Sequence, residues 1–445
     1  MRRLVFITLF LLAAGGAQGQ AVRPLTVEEA IQLALENSHV VGSARQQVAE
    51  AEARLDEAKT MRLPVVAGQG SYLRLSSNVP DFAVQFPAGI IPGQDARSFT
   101  IAPAVLDRYS AVVSIQQPLF TGGRIRQGTR IAEYQAEAAV EDASATRADL
   151  ALRVQEAYWT LHKAEAGLDV LNEAVAQVEA HLKDVQNLRE VGMATNSDVA
   201  GVLTRRSEVR LQLVEAQNAV RMAALNLNHL IGLDLNERVR TVDSVRVRPV
   251  TESPDDLIRM ALAQRPELSA FESRLQALDA GVKAAGAARY PQVHAVGNLR
   301  YANPNPYVFP PESKFTGTWD AGVSVSFDLW NWGRTRAKTG QARARLDQAE
   351  EQYLQARELI ALDVERRRLE VENAAETIEA AMQAVEAARE FFRETQDRFA
   401  QGVATSAEVL DAEMALRNAG FRLSQARADH AIARAALDHA VGVRW

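Results

Sequence analysis

From Trp319 to Leu329 apolar and polar positions alternate. Trp319, Ala321, Val323, Val325, Phe327 and Leu329 are apolar; Asp320, Gly322, Ser324, Ser326 and Asp328 between them are polar or glycine. A period of two predicts a β-strand with one apolar face. Its eleven residues match the roughly 9–11 of a membrane-spanning strand. Tyr109 to Leu119 repeats the pattern more weakly through Ala111, Val113 and Ile115. Two partner runs are Val293, Ala295, Gly297, Leu299, Tyr301 and Val66, Gly68, Gly70, Tyr72, with His294, Asn298 and Arg300 turned to the other face. Four strands cannot close a barrel, for which about eight is the practical minimum, and open edges are not tolerated in lipid. The pattern therefore predicts closure by other copies of the chain, a trimer with twelve strands being the simplest solution. A four-strand layer in a soluble sandwich is the alternative, but no further strands supply its second sheet.

Elsewhere the period is helical. Thr26-Val27-Glu28-Glu29 has capping-box spacing and opens a helical pattern that runs to about Thr60. A far longer pattern, about 65 residues, leads to the glycine turn Gly192-Met193-Ala194-Thr195, and about thirty-five residues return from it. At ~1.5 Å per residue the outgoing arm is on the order of 100 Å long. Leu168, Leu171, Val175, Val178, Leu182 and Val185 alternate steps of three and four, the spacing of a coiled coil. Val371, Ile378, Met382, Val385 and Phe392 form a looser second stripe.

That second stripe belongs to an internal repeat. Adding 210 carries Gly123-Arg124 to Gly333-Arg334, Val154 to Val364, and the first glycine turn to Gly402-Val403-Ala404-Thr405. Adding 227 carries Ala34-Leu35 to Ala261-Leu262, and Pro64, Val66 and Gly70 to Pro291, Val293 and Gly297. The change of offset marks a loop 17 residues shorter in the second copy. Constant offsets on both sides of one indel indicate duplication. The first repeat is expected over 22–232, with its strand pair in 62–120 and helical hairpin in 122–232; the second over 253–445, with strand pair 291–330 and hairpin 332–442. Residues 233–252 link them, and the alternation from Thr241 to Val247 predicts a short strand or belt there. The segments 75–108 and 302–318, rich in Pro, Gly, Asn and Phe, read as surface loops.

Met1 to about Ala21 reads as a secretory signal peptide: Arg2 and Arg3, an apolar segment from Leu4 to Ala14, then small residues. The net charge of −6 is interspersed, so nothing marks a nucleic-acid partner, and the absence of cysteine removes disulfides, thiol nucleophiles and lipidated cysteine. No other stretch is long and apolar enough for a transmembrane helix. His39, His162, His181, His229, His294, His430 and His439 are scattered, and no metal-ligand spacing, phosphate loop or nucleophile motif appears. No cofactor and no enzyme activity are expected.

Capped helix, strand, loop, strand, junction, long helix, glycine turn and return helix, twice over, resemble the TolC-type outer-membrane efflux proteins, or outer membrane factors. The most specific pieces are Gln117-Pro118-Leu119-Phe120-Thr121-Gly122-Gly123, Arg265-Pro266-Glu267-Leu268, and Gly402-Val403-Ala404-Thr405 followed by Val409-Leu410-Asp411-Ala412. The resemblance implies a mostly α chain with a transmembrane β part: a trimeric twelve-strand β-barrel in the outer membrane, continued by a twelve-helix periplasmic α-barrel. It implies an exit duct for an inner-membrane transporter joined by a periplasmic adaptor protein.

The glycine turns then lie where the family has its gate and adaptor contact, which makes Gly192, Met193, Ala194, Thr195, Gly402, Val403, Ala404 and Thr405 candidate adaptor contacts. The alternative is a plain helix–helix turn. Thr195 with Asp198 and Thr405 with Glu408 have capping-box spacing, which by itself accounts for both carboxylates. The functional reading is an acidic ring of Asp198, Glu408 and Asp411 around a shared axis, favouring cations, with Phe399 as an apolar restriction; a solvated carboxylate is the alternative for Asp411, and helix packing for Phe399. By resemblance, Glu408 and Asp411 match the family's acidic constriction. Ala404 departs from the gate-locking arginine of some members. A periplasmic coiled-coil adaptor or scaffold without a membrane barrel is the competing function, and an exported hydrolase has no residues to stand on.

Overall fold

The computed structural model describes residues 22–86, 97–247 and 249–443, so the expected signal peptide lies outside the described residues. In chain order the elements are β1 (Arg23–Leu25), α1 (Val27–Asn37), α2 (His39–Thr60), β2 (Val65–Arg74), β3 (Phe82–Phe86), β4 (Arg97–Ala102), β5 (Asp107–Phe120), α3 (Arg124–Glu190) and α4 (Asn196–Ile231). There follow β6 (Val239–Thr241), α5 (Pro254–Gln264), α6 (Pro266–Gly286), a 3-10 turn at Ala287–Arg289, β7 (Gln292–Asn303), β8 (Thr316–Ser326), α7 (Arg334–Ala400) and α8 (Ser406–Ala440). The two longest helices have 67 residues each, and their bounds differ by 210 at both ends. The chain forms two compact units that cut across the sequence repeats. One holds residues up to 46, 141–268 and 355 onward; the other holds 47–140 and 269–354.

The second unit carries a four-stranded antiparallel sheet in the order β2-β5-β7-β8. Its register aligns the alternation across strands: Gly68 pairs with Val113, Val113 with Leu299, and Leu299 with Trp319. One face therefore carries Val66, Tyr72, Val113, Ile115, Leu299, Tyr301, Trp319, Val323 and Val325, all exposed in the single chain. The other face is mainly polar, with Asn298 Nδ2 donating to Asp320 Oδ2 at 2.7 Å, although Val65, Leu73, Val112 and Val296 also fall on it. At the loop end of the apolar face Tyr72 and Tyr109 lie 4.9 Å apart, and Phe315 stacks on Tyr301 at 5.3 Å. At the helix end Phe120, Leu329, Trp330 and Trp332 are exposed. With ~3.3 Å rise per residue and a ~40° tilt, the eleven residues of β8, Thr316 to Ser326, span about 25 Å, the height of a barrel's apolar band.

β8 begins and ends three residues earlier than its alternation predicts. Thr316 and Gly317 still pair with Ala302 and Tyr301, whereas after Ser326 the chain leaves the sheet for α7. The segment 75–108 is more than a surface loop, for it contains the hairpin β3–β4, in which Val84 pairs with Phe99. The expected single helix from Val27 to Thr60 breaks at Ser38, which is extended; its counterpart breaks at Arg265, forced out of helical geometry by Pro266.

In the first unit the α3 stripe is buried at Leu171, Val178, Leu182 and Val185 against Val199, Val202 and Val209 of α4. On α7, Val371, Ile378 and Val385 are buried while Met382 is exposed, since Ala381 takes the inward position. Among its described residues the linker supplies β6, paired parallel with β1; Val242 to Val247 form no strand. The buried Tyr158 hydroxyl fastens this belt to α3, lying 2.8 Å from Leu25 O and 2.6 Å from Asp243 Oδ2. Burial and the Asp243 carboxylate both raise the Tyr158 pKa, keeping its proton in that bond.

Candidate functional site

The turns joining α3 to α4 and α7 to α8 are built alike. Gly192 and Gly402 have φ of 78° and 73°. Met193 N–H donates to Leu188 O at 2.8 Å, and Val403 N–H to Arg398 O at 2.9 Å. These bonds satisfy carbonyls left free by each long helix. The same turns push two apolar side chains into solvent, Met193 at 71% and Val403 at 65% exposure. Ala194 and Ala404 are half-buried, and Ala194 packs on the α3–α4 core.

Both predicted capping boxes form. Thr195 N–H donates to Asp198 Oδ2 at 2.8 Å while Asp198 N–H donates to Thr195 Oγ1 at 3.2 Å. In the second copy Thr405 N–H donates to Glu408 Oε2 at 2.7 Å, and Glu408 N–H donates to Thr405 Oγ1 at 3.3 Å. The backbone N–H bond, followed by the threonine hydroxyl, holds each carboxyl below its usual range, so both stay ionised. Asp411, one turn beyond Glu408, is exposed. Phe399 lies half-buried against the core of α3 and α4, its ring 5.1 Å from that of His181.

Two features of the tip escaped the sequence reading. His181 of α3 is buried, and its Nε2 shares a 2.9 Å hydrogen bond with Ser406 Oγ, the first residue of α8. This ties one hairpin to the other. Burial holds its pKa below the ordinary imidazole value, with Asp184 pulling the opposite way. Glu413 of α8 is also buried, and its Oε2 and Arg205 Nη2 have no hydrogen-bond partner. Burial pushes the Glu413 carboxyl up to about 7, against the pull of Arg205 and Arg417. Both residues fall on apolar stripes: His181 three after Val178, Glu413 four after Val409. A titratable side chain at such a position was the available signal.

Away from the tip, Arg265 of the Arg-Pro-Glu-Leu segment donates from Nε to Ala440 O at 2.8 Å, closing the end of α8, and from Nη2 to Asp363 at 3.0 Å. Burial opposes ionisation of Asp363, but Arg366 and Arg265 outweigh it and hold its carboxyl below the usual range. His439, the repeat equivalent of His229, bonds Asp149 at 2.9 Å. Among the described residues no helix is long and apolar enough to cross a membrane, and no cluster of three His, Cys, Asp or Glu could hold a metal ion.

The profile of a family described as outer membrane efflux protein matches the chain twice, over residues 30–233 and 257–443. The matches begin 227 residues apart and end 210 apart, reproducing the internal repeat with its indel. The chain belongs to the outer membrane efflux protein family. It is therefore of the TolC type, an outer-membrane channel protein with a periplasmic helical part and not an enzyme. The toluene efflux pump outer membrane protein TtgF of Pseudomonas putida is 29% identical over 222 residues, 49% of this chain and 44% of TtgF. The chain thus spans about half the length of the first curated relatives it matches. The alkaline protease secretion protein AprF of Pseudomonas aeruginosa is 27% identical over 76% of this chain and 70% of its own length. The crystal structure of the outer membrane protein VceC from Vibrio cholerae superposes with a TM-score of 0.75, covering 94% of this chain and 96% of VceC at 18% identity. That likeness establishes the fold.

Proposed function

We propose that three copies of this efflux-family chain close a twelve-strand β-barrel in the outer membrane, continued by a twelve-helix periplasmic tube. The assembly is a passive exit duct fed by an inner-membrane pump through a periplasmic adaptor. The observation that carries this reading is a sheet with one unbroken apolar face of membrane height and with both edge strands unpaired among the described residues. Lipid does not tolerate such edges, and a single chain cannot close them. Detergent-extracted protein from the outer-membrane fraction is expected at the mass of three chains. A soluble periplasmic monomer would overturn the reading.

In this assembly the helical tips converge, and Asp198, Glu408 and Asp411 ring the periplasmic entrance in three copies. Asp198 and Glu408 hold their charge through the capping bonds, and Asp411 presents its carboxylate to solvent. Such a ring favours cations. Phe399, seated on His181, stiffens the tip from behind. The turns Gly192 to Thr195 and Gly402 to Thr405 meet the adaptor. Replacing Asp411 by Asn together with Glu408 by Gln is expected to lower cation preference in planar-bilayer conductance; unchanged selectivity would discard the ring. TtgF is named for toluene efflux and AprF for protease secretion. Cargo as different as these points to selection by the pump, with a wide duct that passes what it is given.

A further inference from the structure

We infer that the two open edges, β8 of one copy and β2 of the next, pair in a single register, written into the chain by its own repeat. Within the chain Val65 pairs with Gln116, and Gln292 with Ser326. The first-strand residues differ by 227 and the second-strand residues by 210, so the two hairpins correspond residue by residue. The seam between them pairs Val113 with Leu299, Ser114 with Asn298 and Gln116 with Val296. The same offsets carry that seam to the open edges. Val323 then pairs with Tyr72 of the neighbouring copy, Ser324 with its Ser71, and Ser326 with its Gln69. This register keeps Val323 and Val325 beside Tyr72 and Gly70 on the apolar face, and serine beside serine and glutamine on the polar one. A slip of one residue would invert both faces.

At the rim of the barrel the correspondence breaks, and the break marks a contact. Gly122, with φ of 60°, sits where an added Cβ would lie 2.6 Å from Ala287 O and 2.8 Å from Tyr290 Cβ. Ala287 and Tyr290 close the turn into β7 by a 3.1 Å bond, and Thr60 and Leu63 close the same turn into β2 at 2.8 Å. The repeat equivalent of Gly122 is Trp332, which keeps a φ of 54° although it is not glycine and is 89% exposed. Left-handed backbone is strained for such a side chain. At the seam between copies Trp332 faces the neighbouring turn from Thr60 to Leu63, where the spacing found within the chain leaves no room for a Cβ. That turn stands off, and the Trp332 indole fills the gap against the otherwise exposed Met61 and Leu63. The strand register is repeated at all six seams, whereas the rim contact alternates between glycine within a chain and tryptophan between chains.

This inference rests on the trimer proposed above, and cysteine cross-linking separates the two. The chain has no cysteine of its own, so Ser324→Cys with Ser71→Cys can be oxidised without background in the full-length protein in outer-membrane vesicles. It is expected to give covalently linked trimers severalfold faster than Ser324→Cys with Gln69→Cys or with Leu73→Cys, each displaced by two residues on the same face. Faster linkage in either displaced pair overturns the register and leaves the trimer standing. No linkage in any pair overturns the edge pairing if the mass is trimeric, and the trimer itself if the mass is monomeric. For the rim, Trp332→Gly is expected to lower the temperature at which trimers dissociate in detergent, and Trp332→Phe to restore most of the loss. A dissociation temperature unchanged or raised by Trp332→Gly, as relief of backbone strain alone would give, overturns the seam contact.

Discussion

At Glu413 the helix packing and two arginines act against each other, and packing prevails: its carboxyl titrates near 7 although Arg205 and Arg417 favour the anion. The folded chain holds this proton more tightly than the unfolded one. Stability from this group is therefore full below about pH 4.5 and lost as pH rises through about 7. Glu413→Gln mimics the protonated acid. It is expected to flatten the fall in thermal stability between pH 5 and 8, an effect of about 2–3 kcal/mol at most. Parallel melting curves for the two proteins across that range would refute the assignment. His181 runs the other way, since burial holds its pKa below the ordinary 6.5. The stability it contributes is present above pH 6.5 and lost as pH falls below it, when the buried ring is forced to charge. Protection of the amides at the start of α8, corrected for the intrinsic pH dependence of exchange, is expected to be lower at pH 5.5 than at pH 7.5. Ser406→Ala, which leaves the imidazole unpartnered, should cost about 1–3 kcal/mol and leave that pH dependence in place, because it comes from burial of the ring and not from the serine.

Among the elements, the helix starts are where short sequence signals decide structure. Thr195 and Thr405 each satisfy one free backbone N–H with a hydroxyl and in return donate their own backbone N–H to the carboxylate three residues on. Thr195→Ala and Thr405→Ala are each expected to cost about 1 kcal/mol and to raise exchange in the first turn of α4 or α8. Protection unchanged at residues 196–199 and 406–409 would show that packing alone starts these helices. These caps were readable because all their parts lie within four residues. The sheet was readable for a related reason: one run, from Trp319, alternates strictly, and the repeat carries its parity to the weaker strands. Ser38 shows what was hidden. With no proline after it, only its extended backbone and the 3.2 Å bond from Val40 N–H to its Oγ betray the break. The β3–β4 hairpin was hidden by its length, since five or six residues of Phe and Val alternation in a Pro- and Gly-rich loop do not stand out. The links from His181 to Ser406 and from Tyr158 to Asp243 join residues far apart in sequence, which no local pattern reveals.

On the scale of the whole molecule, the duplication makes each chain present its tip twice, and three chains present it six times. Each tip turn carries one apolar side chain, Met193 or Val403, held in water by a glycine turn with the same two backbone bonds, from the glycine and from the residue after it. Neither side chain takes part in the hydrogen bonds that form the turn. Full burial of such a side chain in a partner is worth on the order of 1.5–3 kcal/mol, and six such contacts acting together multiply a weak site into a stable one. Substituting one of the two should therefore leave export largely intact. Met193→Asp with Val403→Asp together is expected to abolish export in cells and recovery of the adaptor by cross-linking, with trimer mass and single-channel conductance unchanged. Adaptor recovery equal to that of the unmodified chain would move the docking surface off the tips. Loss of trimer or conductance would show instead that the two side chains serve the fold.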